Sequence, residues 1–476
     1  MKRTTLLPAI LLSVSFFISA FCLGDIRLPA IFSDNMVLQQ QANVTLWGWS
    51  SPAEKIYITT SWNNVTDSVT ANGNAHWKTS IHTPAAGGPY TITFKARNTI
   101  VLNNVMLGEV WVCSGQSNMQ WSYHNGLPEI EQEFAGAAAK TNIRFFQLPQ
   151  TTSEHPQDNC PGTWKNCGPE TLKSFSAVAY YFGKKLEEQL HVPIGLINTS
   201  WGGTPAEVWT PAEAIDNDPV LKEAAAKQPK TDWWPTAPAL TYNAMIAPLT
   251  QFNIAGAIWY QGESNTGTAA SYQQLMTAMI GSWRKAWDKA FPFYYVQIAP
   301  FAYGNKHIGA LLREAQNKTM AVPNTGMVVI TDLVDDIKNI HPKNKHDVGA
   351  RLAAWALAET YHKEGLTYKS PEYKHLTVSK NKATVYFDNA ASGLTLKGQE
   401  KKATEFYIAG EDKNFLPADV KIEGDHVILS NKAIKDPVAV RFAFGNTAIG
   451  NIFSKEGLPV CPFRTDDWEV DTSKEK

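Results

Sequence analysis

The chain has 476 residues, of which 44% are hydrophobic, with 43 basic and 44 acidic side chains and a net charge of -1. That length is more than one ordinary domain and suggests about three at ~150 residues each. The balanced charge argues against a nucleic-acid partner or an anionic membrane surface. The 16 Trp suit core packing first and stacking on sugar rings second.

Met1-Lys-Arg and the apolar run from Leu6 to Leu23, with small residues at Ser19-Ala20, read as a secretory signal over residues 1–23. The expectation is export to the periplasm or the exterior, with no transmembrane segment after cleavage. A retained membrane helix is the alternative, but the run is short and Gly24-Asp25 ends it. Cys22 offers a lipid anchor, weakened by Phe21 where a small residue is usual.

Residues 24–104 read as an N-terminal β-sandwich domain. Val44–Trp49, Lys55–Thr59 and Pro89–Phe94 alternate at period two between turn clusters such as Ala71-Asn-Gly-Asn74. From 105 to 368 the pattern becomes α/β. Short apolar strands are predicted at Val110–Cys113, Pro193–Asn198, Ile254–Tyr260, Phe293–Ile298 and Gly326–Thr331. Helical periodicity separates them, through Phe175, Val178, Phe182, Leu186 and Leu190, and over Ala270–Asp288, Ile308–Met320 and His346–His362. This predicts a parallel sheet covered on both faces, a three-layer α/β/α domain. The segments 120–170 and 212–250 read as loop-rich insertions that shape a pocket. Alternation returns over 369–476, in Ala383–Phe387, Ala403–Ile408, Val427–Leu429 and Val438–Ala443, as a second β domain.

Five cysteines are too few for a disulfide scaffold. Cys160 and Cys167 are spaced to close a small loop, and Cys113 reads as a small buried hydrophobe. With no CxxC pair and no HExxH, neither a metal nor a cofactor is expected.

Four polar clusters sit at or just after predicted parallel strands, the edge where open α/β sheets bind ligands. They are Gly115-Gln-Ser-Asn-Met119, Asn198-Thr-Ser-Trp-Gly-Gly-Thr204, Trp259-Tyr-Gln-Gly-Glu-Ser-Asn265, and Thr331-Asp-Leu-Val-Asp-Asp336 leading to Ile340-His-Pro342. Acyl transfer through serine needs a nucleophile, a base, a group that orients the base and donors for the oxyanion. Ser117 fits the first and His341 the second. Gly202 or Gly203 can bring a backbone N–H close to substrate. Gln261 offers a side-chain amide, with Asn265 as the fallback. Glu263 on its own also fits a buried carboxylate capping a helix. From the residues alone, a hydrolase and a sugar-binding scaffold fit about equally.

Together Gly115-Gln-Ser-Asn-Met119, Trp201-Gly-Gly-Thr204, Trp259-Tyr-Gln-Gly-Glu263 and Ile340-His-Pro342, in this order, resemble the sialate O-acetylesterase family of SGNH-type hydrolases. Phe463-Arg-Thr-Asp-Asp-Trp468 is similar to that family's C-terminal signature. The resemblance implies metal-free hydrolysis of acetyl esters on carbohydrates, typically sialic acids, with an O-acetylated glycan as partner. It carries the nucleophile onto Ser117 and the base onto His341. The oxyanion donors carry onto the Ser117 backbone, the Gly202-Gly203 turn and a side-chain amide. The acid is displaced: Lys338 and Asn339 stand where such enzymes place an aspartate before the histidine. Glu263 is the first candidate, Asp335 and Asp336 the next, and a dyad closed by a backbone carbonyl is the remaining option. Acetylated xylan or another polysaccharide is the alternative substrate. Arg313, on a predicted helix, could meet a sialate carboxylate, although solvent exposure is its commoner fate.

Overall fold

A computed structural model describes residues 24–474. The signal run and Cys22 lie outside the described residues. The central sheet runs in the order Thr325–Val328, Phe293–Val296, Gly256–Tyr260, Thr99–Gly115, Ile194–Ser200, Ile143–Gln147 and Trp164–Asn166. Every pair is parallel except the last. Its middle strands are buried on both sides, which is why they read as unbroken apolar runs rather than as alternation.

Side chains alternate between two cores. Trp111 and Cys113 join Val178, Phe182 and Leu186 of helix Ala177–Leu190 and Val348 and Leu352 of helix Lys345–Trp355. Val110 and Val112 share the opposite core with Leu275, Met279 and Trp283 of helix Ala269–Ala286 and Leu312 of helix Ile308–Lys318. Helices therefore cover both faces of the sheet. No helix among the described residues is long and apolar enough to cross a membrane.

The predicted α/β strands recur within a few residues, but the segment 120–170 holds more than loops. Ile143–Gln147 is a buried parallel strand, too short and too close to polar flanks to stand out by period. The last predicted helix ends earlier as an α-helix, at Trp355, and continues as a wider turn over Ala356–Thr360.

Thr99–Gly115 is one continuous 17-residue strand. Its first half pairs antiparallel with Gly87–Lys95 and parallel with Val37–Gln39. Its second half lies in the central sheet. Residues 104 and 105 fall inside it, so no linker separates the N-terminal β region from the α/β core. At the other end, two four-stranded antiparallel sheets share a core built from Val385, Leu429, Ile408 and Phe442. Arg464 of this region forms a two-pronged pair with Glu314 on helix Ile308–Lys318, at 3.0 Å on both prongs.

Cys160 and Cys167 are free thiols, and their side chains belong to the two different cores. Burial pushes both up to about 12. Arg313 is neither exposed nor at the sheet edge. It is fully buried and donates to the Gly445 carbonyl, with burial pushing it down to about 10.

Candidate active site

The central strand ends at Gly115 in a conformation closed to other residues. Its φ is +139°, and an added Cβ would lie 2.2 Å from the Tyr260 carbonyl oxygen of the neighbouring strand. Gln116 then bridges the sheet edge: its N–H donates to the Tyr260 carbonyl at 3.0 Å, and its side-chain carbonyl accepts from the N–H groups of Gly262 and Ser264. The chain turns at once into the one-turn helix Ser117–Gln120. Ser117 is thereby held at the carboxyl edge of the sheet, half-buried.

His341 arrives from the loop after the last parallel strand, and its Nε2 lies 2.9 Å from Ser117 Oγ. The imidazole stacks on Trp121, with ring centroids 4.0 Å apart and planes 21° from parallel. Its loop is fixed locally, since the His341 N–H donates to Asn339 Oδ1 at 3.0 Å. Asn339, at the position where an aspartate was missing, therefore serves the backbone of His341 and not its ring.

None of the three candidate acids hydrogen-bonds the imidazole. Asp335 and Asp336 are exposed, and Asp336 accepts from the Lys338 N–H. Glu263 is buried and accepts from Asn118 Nδ2 at 2.6 Å. That same Nδ2 donates to the Ile340 carbonyl at 3.0 Å, and Asn118 Oδ1 accepts from Lys345 Nζ at 2.6 Å. Asn118 thus clamps the backbone beside His341 while lying between a buried cation and a buried carboxylate. Lys345 escaped the sequence reading because, following Lys338 and Lys343, it looks like part of a solvated basic face. Asn118 was visible inside the serine motif, but nothing in the sequence indicated its partners.

Electrostatics follow from this packing. Burial first, and the Lys345 cation second, push His341 down to about 4 from its ordinary 6.5. Burial pushes Lys345 down to about 7, against the opposing pull of Glu263 and Asp335. Burial raises Glu263 above the usual carboxylate range. At neutral pH the imidazole is therefore uncharged and able to accept a proton.

The candidate oxyanion donors divide. The Gly202 N–H already donates to Gln120 Oε1 at 2.7 Å. Gln261 donates to Asn265 Oδ1 at 2.7 Å and accepts from the Tyr272 hydroxyl, while Asn265 Nδ2 donates to Glu207 at 2.8 Å. Both amides are fully buried, so Gln261 and Asn265 hold the two loops together instead of presenting donors. The N–H groups of Ser117 and Gly203 have no acceptor among the described residues. Gly203 needs its φ of +81°, and Trp234 packs where a Cβ would go.

Residues 107–358, more than half of the chain, match the family model of carbohydrate esterases described as sialic acid-specific acetylesterase. The chain belongs to that family. The esterase is 30% identical to human sialate O-acetylesterase over 387 residues, covering 72% of this chain and 73% of the human protein. It is 28% identical to the mouse sialate O-acetylesterase over 490 residues, covering 88% and 89%. Among solved structures, a carbohydrate acetylesterase from Xanthomonas citri superposes with a TM-score of 0.85 at 36% identity, covering 93% of this chain and all of that one.

Proposed function

We propose that the esterase removes O-acetyl groups from glycans through an acetyl-Ser117 intermediate, on an SGNH-type three-layer core flanked by β-sandwich regions. The observation that carries this reading is the 2.9 Å approach of His341 Nε2 to Ser117 Oγ at a sheet edge. Ser117 Oγ attacks the acetyl carbonyl as His341 Nε2 takes its proton. The Ser117 and Gly203 N–H groups receive the oxyanion, each contributing on the order of 10²–10³ in turnover. His341 then protonates the departing sugar oxygen, and in the second half activates the water that releases acetate. The orienting acid is replaced by a Ser–His dyad in which Trp121 stacking and the Asn118 clamp hold the ring.

The names of the human and mouse relatives point to acetylated sialic acids as substrate. A second reading, an acetylated neutral polysaccharide, is favoured by a cleft at Gln120 whose lining holds neither Lys nor Arg. The basic-then-apolar N-terminus supports export of the chain. Acetate release by purified Ser117→Ala tests the chemistry. Turnover should fall by at least about 10³, and near-normal turnover would overturn the assignment.

A further inference from the structure

A cleft of about 360 Å³ is lined by Gln120, at the end of the turn that begins with Ser117, and by Ser200, two residues before Gly202. Its connection to the nucleophile runs through Gln120 and Gly202. Gln120 holds the Gly202 N–H, and a Cβ built on Gly202 would stand 3.3 Å from Ser117 Cβ. Along the adjoining strand ends runs a hydrogen-bonded ladder. Ser200 Oγ donates to Asn198 Oδ1 at 2.8 Å, and Asn198 Nδ2 donates to Gln147 Oε1 at 2.8 Å. Buried Asn198 and Ser200 thus brace Gln147, whose exposed side chain stands at the carboxyl end of the neighbouring parallel strand Ile143–Gln147, the position where an α/β sheet receives its ligand.

The charge of this cleft is as informative as its shape. Eight of its eleven lining residues are Ser, Asn or Gln, its one titratable side chain is His124, and neither Lys nor Arg is among them. Lys345 is fully buried and bonded to Asn118, beyond reach of a ligand in this cleft. A sugar-acid carboxylate is normally met by a charge-assisted donor, most effectively a guanidinium. A wall of amides and hydroxyls, each able to donate and accept, matches sugar hydroxyls instead.

We infer that this cleft is the subsite for the acetylated sugar and that it takes an uncharged, hydroxyl-rich ring. The inference rests on the esterase reading of Ser117 and His341 and deepens it, naming neutral acetylated glycans as the preferred substrate class. A sialoside would be accepted only with its carboxylate turned outward.

The test compares three esters on the full-length enzyme: an O-acetylated N-acetylneuraminic acid, the same compound with its carboxylate blocked as the methyl ester, and an O-acetylated neutral pyranoside. Blocking the carboxylate should leave kcat/KM unchanged within about twofold or raise it, and the neutral pyranoside should be the best substrate of the three. A tenfold or greater loss on blocking the carboxylate would overturn the inference, because it would reveal a cationic partner. Gln147→Leu should raise KM for the neutral ester at least fivefold more than for 4-nitrophenyl acetate. Gln150→Ala, at an exposed wall position that makes no hydrogen bond in the ladder, should show the same bias more weakly and covers the case in which Gln147→Leu misfolds. Equal effects on both esters in a folded variant would place the sugar elsewhere. Failure of the esterase reading itself would look different: Ser117→Ala would keep its turnover on every ester.

Discussion

Replacing Lys345 with Met removes a buried cation while nearly preserving shape, and its effect on the base can be worked out in advance. His341 lies at about 4, below its ordinary 6.5, with burial the larger cause and Lys345 the second. The cation therefore accounts for less than half of that displacement, so its removal should raise the imidazole by about one pH unit at most. Lys345, at about 7, is charged throughout the range in which His341 titrates, so the repulsion operates where it matters. The sign is fixed: without the neighbouring cation the imidazolium is easier to form, and the base is lost at a higher pH. The acid limb of kcat/KM reports the free enzyme's base. It should move from near 4 toward 5, and activity at pH 4.5 should fall roughly threefold relative to wild type when both are normalised at pH 7. Lys345→Met also strips the buried Asn118 Oδ1 of its donor, a cost of about 1–3 kcal/mol in stability. Lys345→Gln restores a donor without the charge and separates the two effects. Both variants should shift the limb, while only the Met variant should lose thermal stability. An acid limb that stays put in both folded variants would refute the electrostatic account of His341.

The remaining expectations concern the missing acid, the turn before the nucleophile and the thiols. Glu263→Gln keeps an acceptor for Asn118 Nδ2, so turnover should fall by less than about 10², whereas a carboxylate that orients the imidazole would be worth roughly 10⁴. Asp335→Asn and Asp336→Asn, both exposed, should stay within about twofold of wild type in the same steady-state assay. Gly115→Ala should be destabilised by at least about 2 kcal/mol in denaturant melts, because both the positive φ and the Tyr260 carbonyl oppose a Cβ. Thiol titration without reductant should find Cys113, Cys160, Cys167 and Cys461 unreactive in the folded protein and all reactive in guanidinium; a Cys160–Cys167 bridge would remove two of them.

Much of the architecture could be read directly from the chain. Buried parallel strands declare themselves as short apolar runs, and polar clusters at their ends mark the ligand edge, so Ser117 and His341, which the fold brings within 2.9 Å, are legible as candidates in the chain itself. What stayed hidden was pairwise. Gln261 and Asn265 carry free amides as residue types, and only three-dimensional packing shows those amides engaged with each other and with Glu207. Lys345 and Arg313 are the clearest cases, since a buried Lys or Arg has the same one-dimensional signature as an exposed one. The strand Ile143–Gln147 was missed for a related reason: five residues between irregular flanks carry too little periodicity to separate from loop.

The strand from Thr99 to Gly115, bulged at Asn104 where φ is +54°, joins the N-terminal β region and the nucleophile along one stretch of backbone. Trimming the chain back to its α/β portion would not release a module. It would strip Gly87–Lys95 and Val37–Gln39 from this strand and leave an unpaired edge leading to the turn that carries Ser117. In native-state hydrogen exchange the amides of residues 99–107 should open together with those of 110–115, as a single cooperative unit. A lesion far out in the N-terminal β region would then be felt as a loosened serine, with no residue of the active site altered.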